Sequence, residues 1–236
     1  MAVKLYTGTS GYSYKEWKGP FYPEKLPARR FLEYYSGQLP AVEVNNTFYR
    51  MPKAETLETW RDTVGDRFRF AIKASRRITH QSRLKDCEDS VEYLLKVSSV
   101  LGDARGPFLL QLPPFLKKDT ERLACFLGTW PRDVRAAFEF RHPSWFEPDV
   151  FDVLRDHGAG LCIADSGTEK DAPFEATTDW GYLRLRRDGY EPGSLKEWAT
   201  SVLQQKWSEA FVFFKHEDAG AGPRLAQEFA ELASGL

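Results

Sequence analysis

One short segment carries an acid, a cation, an imidazole and an indole close together. Glu139 and Arg141 supply a carboxylate and a guanidinium, and His142 can accept or donate a proton near neutral pH. Trp145 offers a flat face for stacking a sugar or a base. Plainer interpretations exist, because a loop histidine often bonds to backbone and Trp145 can pack on Pro143 as part of a lid. The segment reads Phe138-Glu139-Phe140-Arg141-His142-Pro143-Ser144-Trp145-Phe146.

Further charged residues recur in short β-type runs, where they alternate with apolar residues. Side chains alternate across a strand, and in a closed barrel one set faces the helices while the other fills the interior. Val42 and Val44 therefore face outward and Glu43 faces inward. The same reasoning places Lys73 and Arg184 inside. The inward polar set is Glu43, Asn45, Lys73, Gln111, Glu139, Arg141, Asp165, Arg184 and Arg186.

Charged side chains inside a barrel need an explanation, because an unpaired buried charge is strongly unfavourable. One interpretation is a closed structural ion-pair network, in which Glu43 pairs with Lys73 and Glu139 pairs with Arg184. The other is a polar site for an anionic or polyhydroxylated ligand. Arg and Lys bind phosphate or carboxylate, and a carboxylate can serve as general acid or base. Arg184, Arg186 and Arg187 resemble a phosphate grip after a seventh strand, although a solvated basic edge explains them equally well.

Alternating strand-like and helical segments position these residues. Eight runs have strand character, and most are separated by apolar residues at helical spacing, such as Val91, Leu94 and Leu95. Strict alternation predicts a parallel sheet with crossover helices, and eight strands favour a closed (β/α)8 TIM-type barrel. No Gly-x-Gly-x-x-Gly turn follows a strand, which disfavours an open doubly wound sheet. The predicted strands are Lys4–Thr9, Ala41–Asn46, Phe68–Lys73, Phe108–Leu112, Arg135–Phe140, Gly160–Asp165, Gly181–Arg186 and Ala210–Lys215.

Length and composition fit one such domain, over residues 1–236. A single barrel accommodates 236 residues, and 42% hydrophobic residues provide its core. Residues 11–27 form a long loop rich in Tyr, Trp and Pro after the first strand, and such a loop can cover a barrel mouth. Its Tyr12 and Trp17 are candidates for stacking a ligand. Because barrels of this kind keep their active sites at the carboxyl ends of the strands, we predict the site there.

Charge and cysteine content exclude some classes of protein. Lys and Arg total 33 against 34 for Asp and Glu, so no global positive field exists to hold a polyanion. Cys87, Cys125 and Cys162 are odd in number and lack the paired spacings of a zinc site or a disulfide framework. No apolar run approaches the roughly 20 residues that cross a bilayer. We expect a cytoplasmic protein with no membrane partner.

Several motifs together resemble the family called domain of unknown function 72, also described as YecE-like. The resemblance implies a TIM-type barrel and no established activity. A likeness of such barrels to the abasic-site endonuclease barrel motivates a nucleic-acid hypothesis by analogy. The matching stretches are Gly8-Thr9-Ser10-Gly11-Tyr12 with Trp17, Phe21-Tyr22-Pro23, Val42-Glu43-Val44-Asn45-Asn46-Thr47-Phe48-Tyr49 with Pro52, Lys73 with Ile78-Thr79-His80, Gly106-Pro107 with Gln111-Leu112-Pro113-Pro114, and residues 139–146.

The C-terminal third departs from the family pattern in two places. Arg186-Arg187 stands where a His-Gly pair is expected. Lys215-His216-Glu217-Asp218 stands where Asn residues are expected after the last strand. Both departures fall at the predicted pocket mouth, so we expect a ligand specificity that differs from that of relatives.

The first functional hypothesis is an enzyme, a hydrolase, lyase or isomerase, that acts on a small anionic or sugar-like substrate. Glu139 or Glu43 would be the base, with Asp165 orienting a partner. Lys73, Arg141 and Arg184 would hold the anion or stabilise developing charge. The predicted catalytic residues are Glu43, Lys73, Glu139, His142 and Asp165, and the predicted substrate-binding residues are Tyr12, Trp17, Asn45, Gln111, Arg141, Trp145, Arg184 and Arg186.

Two other functions stay open. One is a nucleic-acid-binding or endonuclease-like barrel, in which Tyr and Trp stack bases and Arg76, Arg77, Arg83 and Lys85 follow phosphates. Four histidines are few for a multi-zinc nuclease. The other is a barrel that binds a ligand without converting it. Mg²⁺ or Mn²⁺ would suit three carboxylates, but the intervening cations already neutralise them, so we assign no metal, no cofactor and no oligomeric state.

Overall fold

Eight parallel strands close into a barrel in the computed structural model, which describes residues 3–168 and 171–236. The strands are β1 Lys4–Ser10, β2 Ala41–Val44, β3 Arg69–Lys73, β4 Arg105–Gln111, β5 Ala136–Glu139, β6 Gly160–Asp165, β7 Trp180–Leu185 and β8 Glu209–Phe214. Each strand pairs with the next one along the chain, and β8 pairs with β1 to complete the ring. The predicted TIM-type barrel is confirmed.

Helices cover the outside of this ring. The α-helices of the described residues are α1 Phe31–Gln38, α2 Ala54–Thr63, α3 Glu88–Ser98, α4 Thr120–Thr129, α5 Pro148–His157, α6 Pro192–Leu203 and α7 Ala221–Ser234. They are amphipathic, and α5, for example, buries Val150, Phe151 and Leu154 on one face. None of the helices described is both long enough and apolar enough to span a membrane.

The predicted strict alternation of strand and helix is wrong at one connection. Between β6 and β7, residues 166–168 and 171–179 contain no helix. The Asp171 carboxylate instead accepts hydrogen bonds from the backbone N–H groups of Ser166 and Thr168, at 2.8 and 3.0 Å. A short acidic side chain that satisfies nearby backbone donors favours a turn over a helix.

The barrel interior is filled by side chains of very different size. Ala41, Ala71 and Ala137 lie inside on one side of the ring, whereas Tyr6 stacks on Phe211 with ring centroids 4.8 Å apart. Small residues leave the space that the aromatic rings occupy, so the lower barrel is a packed apolar core. On the other face of the strands, residues such as Val42, Phe70 and Ile72 pack against the helices, as the alternation predicted.

The ends of β2 and β3 are joined by one hydroxyl group. β2 ends at Val44, two residues before its predicted end, and Asn46–Phe48 forms a 3-10 turn. The Thr47 hydroxyl donates to the carbonyl oxygens of Val44 and Lys73, at 2.9 and 2.7 Å. This turn redirects the chain and brings the Phe48 ring beside the Lys73 side chain.

The aromatic loop after β1 is a packed part of the structure. The Trp17 indole donates to the backbone oxygen of Glu217, 2.8 Å away in the segment that follows β8. Tyr22 stacks on Phe31 of α1 with ring centroids 4.1 Å apart. The loop therefore fastens the first helix to the last strand connection, at the carboxyl end of the barrel. We call this end, where the strands give way to the loops before the helices, the mouth.

Close contact between β1 and β2 depends on Gly8. The Tyr35 hydroxyl of α1 accepts from the Thr9 backbone N–H and donates to the Ala41 oxygen, each at 2.9 Å. A Cβ atom on Gly8 would lie 1.9 Å from that same Ala41 oxygen. We expect Gly8→Ala to destabilise the protein by about 1–3 kcal/mol, because a packed backbone has to move apart. The change is measured by urea denaturation.

Gly128→Ala is the matched control for this substitution. Gly128 lies inside α4, and nothing lies within 4 Å of the position that its Cβ would take. Because alanine favours helix more than glycine, we expect a gain of up to about 1 kcal/mol. Equal and small effects of the two substitutions would contradict the steric account of Gly8.

Candidate functional site

A single guanidinium joins three strands at the top of the barrel interior. Arg184 of β7 donates to Glu139 of β5 at 2.6 Å and to Glu43 of β2 at 2.8 Å. The three side chains are at most 2% exposed. We call Glu43, Glu139 and Arg184 the central cluster. The ion-pair interpretation was right for Glu139 with Arg184, but Glu43 pairs with Arg184 and not with Lys73.

Glu43 is held as a carboxylate by several donors. Besides Arg184, it accepts hydrogen bonds from Ser10 and Tyr182, each at 2.7 Å, and from the Asn45 amide at 3.1 Å. Burial alone would raise the pKa of Glu43, but Arg184 and the hydroxyl donors outweigh it and hold the pKa below its ordinary range. The sequence placed Tyr182 inside the barrel without assigning it to the site, and Ser10 lay beyond the predicted end of β1.

Glu139 lies among still more positive charge. Gln111 donates to its Oε2 at 2.8 Å, and the guanidinium groups of Arg186 and Arg141 lie 3.4 and 3.7 Å from its Oε1. Burial pushes the pKa of Glu139 upward, yet Arg184, Arg186 and the Gln111 hydrogen bond lower it to about 2. Glu139 is therefore ionised at neutral pH and is a poor proton acceptor there. The pKa of Glu43 is also lowered, so both carboxylates are weaker bases than an ordinary glutamate, and the role of either as general base stays a prediction.

Lys73 extends the cluster toward solvent. Its Nζ donates to Gln111 at 2.9 Å and lies 4.5 Å from the centroid of the Phe48 ring. The side chain is half-buried, and no ion pair joins it to a carboxylate of the described chain. Burial, followed by the charge of Arg184, lowers the pKa of Lys73 to about 8, although Glu43 and Glu139 oppose this shift. Lys73 is thus the cation of the mouth that can change protonation nearest neutral pH.

His80 is a neighbour of Lys73 that sequence reasoning did not select as a site residue. Its Nδ1 lies 2.9 Å from the Thr79 hydroxyl, and its ring meets the Phe48 ring edge-on at 4.9 Å. Burial and the charge of Lys73 lower the pKa of His80, so the imidazole is neutral at physiological pH. The available signal was its place in the Ile78-Thr79-His80 motif of the family resemblance.

Asp165 belongs to a separate group of residues on the mouth. It accepts a hydrogen bond from the Tyr190 hydroxyl at 2.6 Å and from the Gly167 backbone N–H at 3.0 Å, with Arg187 3.6 Å away. Burial, followed by this hydrogen bond to Asp165, raises the pKa of Tyr190 far above its usual range. The side chain that Asp165 binds is therefore that of Tyr190, a residue that the sequence did not single out, and the orienting role of Asp165 stays a prediction.

Both tryptophans predicted to stack a ligand are buried elsewhere. The Trp145 ring stacks on Phe140 at 4.6 Å, and its indole donates to the Leu116 backbone oxygen. Trp17 is held by Glu217, as described for the aromatic loop. Their faces are covered by protein, so the structure removes both from the ligand-binding set.

Two other predicted residues have local contacts. The Ser144 backbone N–H donates to Nδ1 of His142, which thereby caps the 3-10 turn Pro143–Trp145, as the plainer interpretation held. His142 has no contact with the central cluster among the hydrogen bonds described. Tyr12 is half-buried and lines a cavity of about 130 Å³ together with Asn45.

The charges of the central cluster, taken together with Lys73, Arg141 and Arg186, do not cancel. Four cations, Lys73, Arg141, Arg184 and Arg186, face two carboxylates, Glu43 and Glu139, which leaves a local charge near +2 in the described network. Glu139 Oε1 and Arg186 Nε are also buried without a hydrogen-bond partner in the protein. Such a site attracts anions.

The carboxylates are not arranged as a metal site. The Arg184 guanidinium stands between Glu43 and Glu139, and Asp165 is bound by Tyr190. In residues 3–168 and 171–236, no group of three His, Cys, Asp or Glu side chains is suited to hold a metal ion.

Comparison with known proteins identifies relatives of this chain. The model of the family described as protein of unknown function DUF72 matches residues 6–235. UPF0759 protein YecE of Escherichia coli is 37% identical over 141 residues, which are 57% of this chain but only 52%, about half, of that relative. UPF0759 protein YunF of Bacillus subtilis is 27% identical over 97% of this chain and 94% of its own length.

Solved structures show the same architecture. A DUF72 family protein from Thermotoga maritima has a TM-score of 0.86 at 26% identity, and the match covers 98% of this chain and 99% of that one. A DUF72 family protein from Enterococcus faecalis has a TM-score of 0.81 at 19% identity, over 98% and 95% of the two chains. At that identity the second likeness concerns the fold alone.

Removal of the central guanidinium tests how much the fold depends on it. Arg184→Met leaves two buried carboxylates facing each other, so we expect a loss of about 3–5 kcal/mol in the free energy of unfolding. Arg187→Met is the control, because Arg187 is 41% exposed and lies 3.6 Å from its partner, so we expect a change within about 1 kcal/mol. The readout is urea denaturation.

A rescue variant separates lost charge balance from lost packing. Arg184→Met combined with Glu43→Gln and Glu139→Gln removes the unpaired charges while keeping side chains of similar size. We expect part of the lost stability to return. Equal instability of the triple and the single variant would show that packing of Arg184, and not its charge, is what the core requires.

The dependence of stability on acidic pH should report the ionisation of Glu43 and Glu139. The folded pKa values of Glu43 and Glu139 lie below the ordinary 4.5, so the unfolded chain binds more protons as the pH falls. The stabilisation of the folded state by these two carboxylates is complete above pH 4.5 and is lost as the pH falls toward about 2. We expect Glu139→Gln to flatten the pH dependence of the urea midpoint, unlike the exposed Glu231→Gln.

Proposed function

This chain belongs to the DUF72 family of proteins of unknown function, and we propose that it is an enzyme that binds a small anionic substrate at the mouth and moves protons on it. The substrate class includes carboxylates and phosphorylated, sugar-like compounds. The observation that carries the proposal is the surplus of positive charge around Lys73, Arg141 and Arg186. Two buried carboxylates leave that surplus unmatched, so the site gains by taking up an anion.

Arg141 and Arg186 are the groups that would hold the anion. Arg141 is 39% exposed, and Arg186 is 16% exposed, so each guanidinium is near solvent as well as near Glu139. A planar guanidinium binds carboxylate or phosphate through two parallel hydrogen bonds. Asn45 and Gln111 are neutral groups that would contact substrate oxygen atoms, and both are already fixed by the central cluster.

Lys73 is the group that would transfer the proton. A catalytic acid or base works best when its pKa is close to the working pH. Lys73, with a pKa of about 8, meets that condition, whereas Glu139, with a pKa of about 2, does not. The central cluster then has an indirect part in the chemistry, since it fixes Gln111, which holds the Lys73 amine. Asp165 would fix Tyr190 at the opposite part of the mouth.

A nucleic-acid ligand is the second candidate, and exposed aromatic residues favour it. Tyr49 is 74% exposed and Phe115 is 63% exposed, and both follow the carboxyl ends of strands. The Arg83 guanidinium lies 5.3 Å from the centroid of the Phe115 ring. Exposed rings beside cations can stack bases and contact phosphates. Binding of single-stranded or abasic DNA at low salt that is lost in Phe115→Ala would favour this candidate.

A thermal-shift screen with carboxylates, sugar phosphates, nucleotides and short DNA tests the first proposal. A ligand that binds only the folded state, at a concentration 100 times its dissociation constant, adds about 2.7 kcal/mol to stability. We expect small anions to raise the melting temperature of the wild type and not of Arg141→Ala. Arg224→Ala is the control, because Arg224 is exposed on α7 and pairs with Glu228 rather than with a residue of the central cluster.

Turnover separates an enzyme from a barrel that only binds a ligand. Products formed from any anion that gives a shift are followed by mass spectrometry or NMR. We expect Lys73→Met to bind that anion and to lose turnover. An equal shift in wild type, Arg141→Ala and Arg224→Ala would contradict anion binding at the mouth, and a shift without products would leave binding as the function.

A further inference from the structure

Lys73 has the surroundings of a nucleophile more than of a simple anion-binding lysine. Its backbone is fixed at the end of β3 by the Thr47 hydroxyl, which donates to the Lys73 oxygen at 2.7 Å. Its amine has one neutral hydrogen-bond acceptor, Gln111, and lies over the face of the Phe48 ring, 4.5 Å from the ring centroid. Among the described residues it forms no ion pair, although two carboxylates of the central cluster lie close enough to act on its charge.

Neighbouring cations complete this environment. Arg184 and Arg141 both act electrostatically on Lys73 and favour its neutral form. Burial beside cationic groups is one of the ways in which proteins activate a lysine amine for attack on a carbonyl carbon. The carboxylates that would otherwise hold the ammonium form are engaged by Arg184, at 2.6 and 2.8 Å. The arrangement thus separates the amine from its natural counter-ions.

We propose that Lys73 forms an imine with the carbonyl group of a small anionic carbonyl compound, whose carboxylate or phosphate binds Arg141 and Arg186. The inference rests on the proposed function, because it needs the same anion site. It replaces proton transfer by the free Lys73 amine with a covalent bond to that amine, and it names a substrate class. That class comprises 2-oxo acids and phosphorylated aldehydes or ketones. Their shared chemistry is a carbonyl carbon a few bonds from an anionic group.

The step balances with groups that the site and water supply. The Lys73 nitrogen lone pair attacks the carbonyl carbon, a C–N bond forms, and the carbonyl oxygen takes a proton to give a carbinolamine. The nitrogen loses one proton, the new hydroxyl group takes a second proton from water, and the C–O bond breaks so that the oxygen leaves as water. The product is a protonated imine, whose positive charge is stabilised at longer range by the charges of Glu43 and Glu139. That charge withdraws electrons from the neighbouring carbon and eases loss of a proton or breakage of a carbon–carbon bond there.

The fraction of free amine makes attack practicable at neutral pH. With the pKa of Lys73 at about 8, about a tenth of the amine is unprotonated at pH 7, roughly 300-fold more than for an ordinary lysine. An exposed lysine such as Lys53 lacks this environment, so it should react much more slowly under the same conditions. The difference provides an internal control within one protein.

Reductive trapping tests the imine directly. The full chain is incubated at pH 7 with pyruvate or dihydroxyacetone phosphate and sodium cyanoborohydride, which delivers hydride to the imine carbon and leaves a stable secondary amine. Peptide mass spectrometry then locates the adduct. We expect one adduct per chain, on Lys73, that disappears in Lys73→Arg and persists in Lys53→Arg. We also expect the rate of trapping to rise with a midpoint near pH 8.

Non-carbonyl analogues distinguish the imine from the anion site on which it depends. Lactate and glycerol 3-phosphate keep the anion and lack the carbonyl, so they should raise the melting temperature and compete with trapping. Shifts with both kinds of compound but no adduct on Lys73 would overturn the imine and leave anion binding standing. No shift and no adduct would overturn both. Labelling of Lys53 as fast as Lys73 would also overturn the assignment of Lys73 as the nucleophile.

Discussion

The paired salt bridges of Arg184 are the interaction on which the upper barrel depends. The lower interior is apolar and close-packed. The next inward-facing positions along β2, β5 and β7, toward the mouth, are two glutamates and an arginine. Two ionised carboxylates are not stable when buried together without a cation between them. Ser10, Tyr182, Asn45 and Gln111 supply further hydrogen bonds. Glu139 Oε1 accepts none in the protein and has only the longer ion pairs to Arg141 and Arg186. Position, protonation and rigidity of the cluster follow from this one constraint.

The salt bridges and hydrogen bonds of Glu43 and Glu139 determine which residue is available for chemistry. Glutamates that form salt bridges with a guanidinium remain ionised. They form a rigid layer beneath the mouth and are not its reactive group. Gln111 passes that rigidity on, because its amide nitrogen donates to Glu139 while its oxygen accepts from Lys73. The lysine is thus oriented by a neutral group and left without a salt bridge in the network described. A structural ion-pair network and a reactive site coexist in the same few side chains.

The two stretches that were expected to depart from the family pattern lie close together in the structure. Arg186, which replaces an expected histidine, lies 3.4 Å from Glu139 and supplies one of the surplus charges. Arg187 lies beside Asp165, and its backbone oxygen is 2.9 Å from Nε2 of His216, which belongs to the other divergent stretch. The two departures therefore meet at one part of the mouth.

The sequence by itself determined the barrel and which residues face its interior. Strand alternation has a period of two, so Glu43, Glu139 and Arg184 were placed inside from their immediate neighbours alone. The tertiary structure decided which residues pair. Glu43 binds Arg184, which is 141 residues distant, because closure of the ring brings the inward faces of β2 and β7 together across the barrel interior. No local signal in the sequence indicates this pair. The tertiary structure also decided that Trp17 and Trp145 are buried. It decided that the pKa of Lys73 is lowered, because burial and neighbouring charge set a pKa and both arise from contacts distant in the chain.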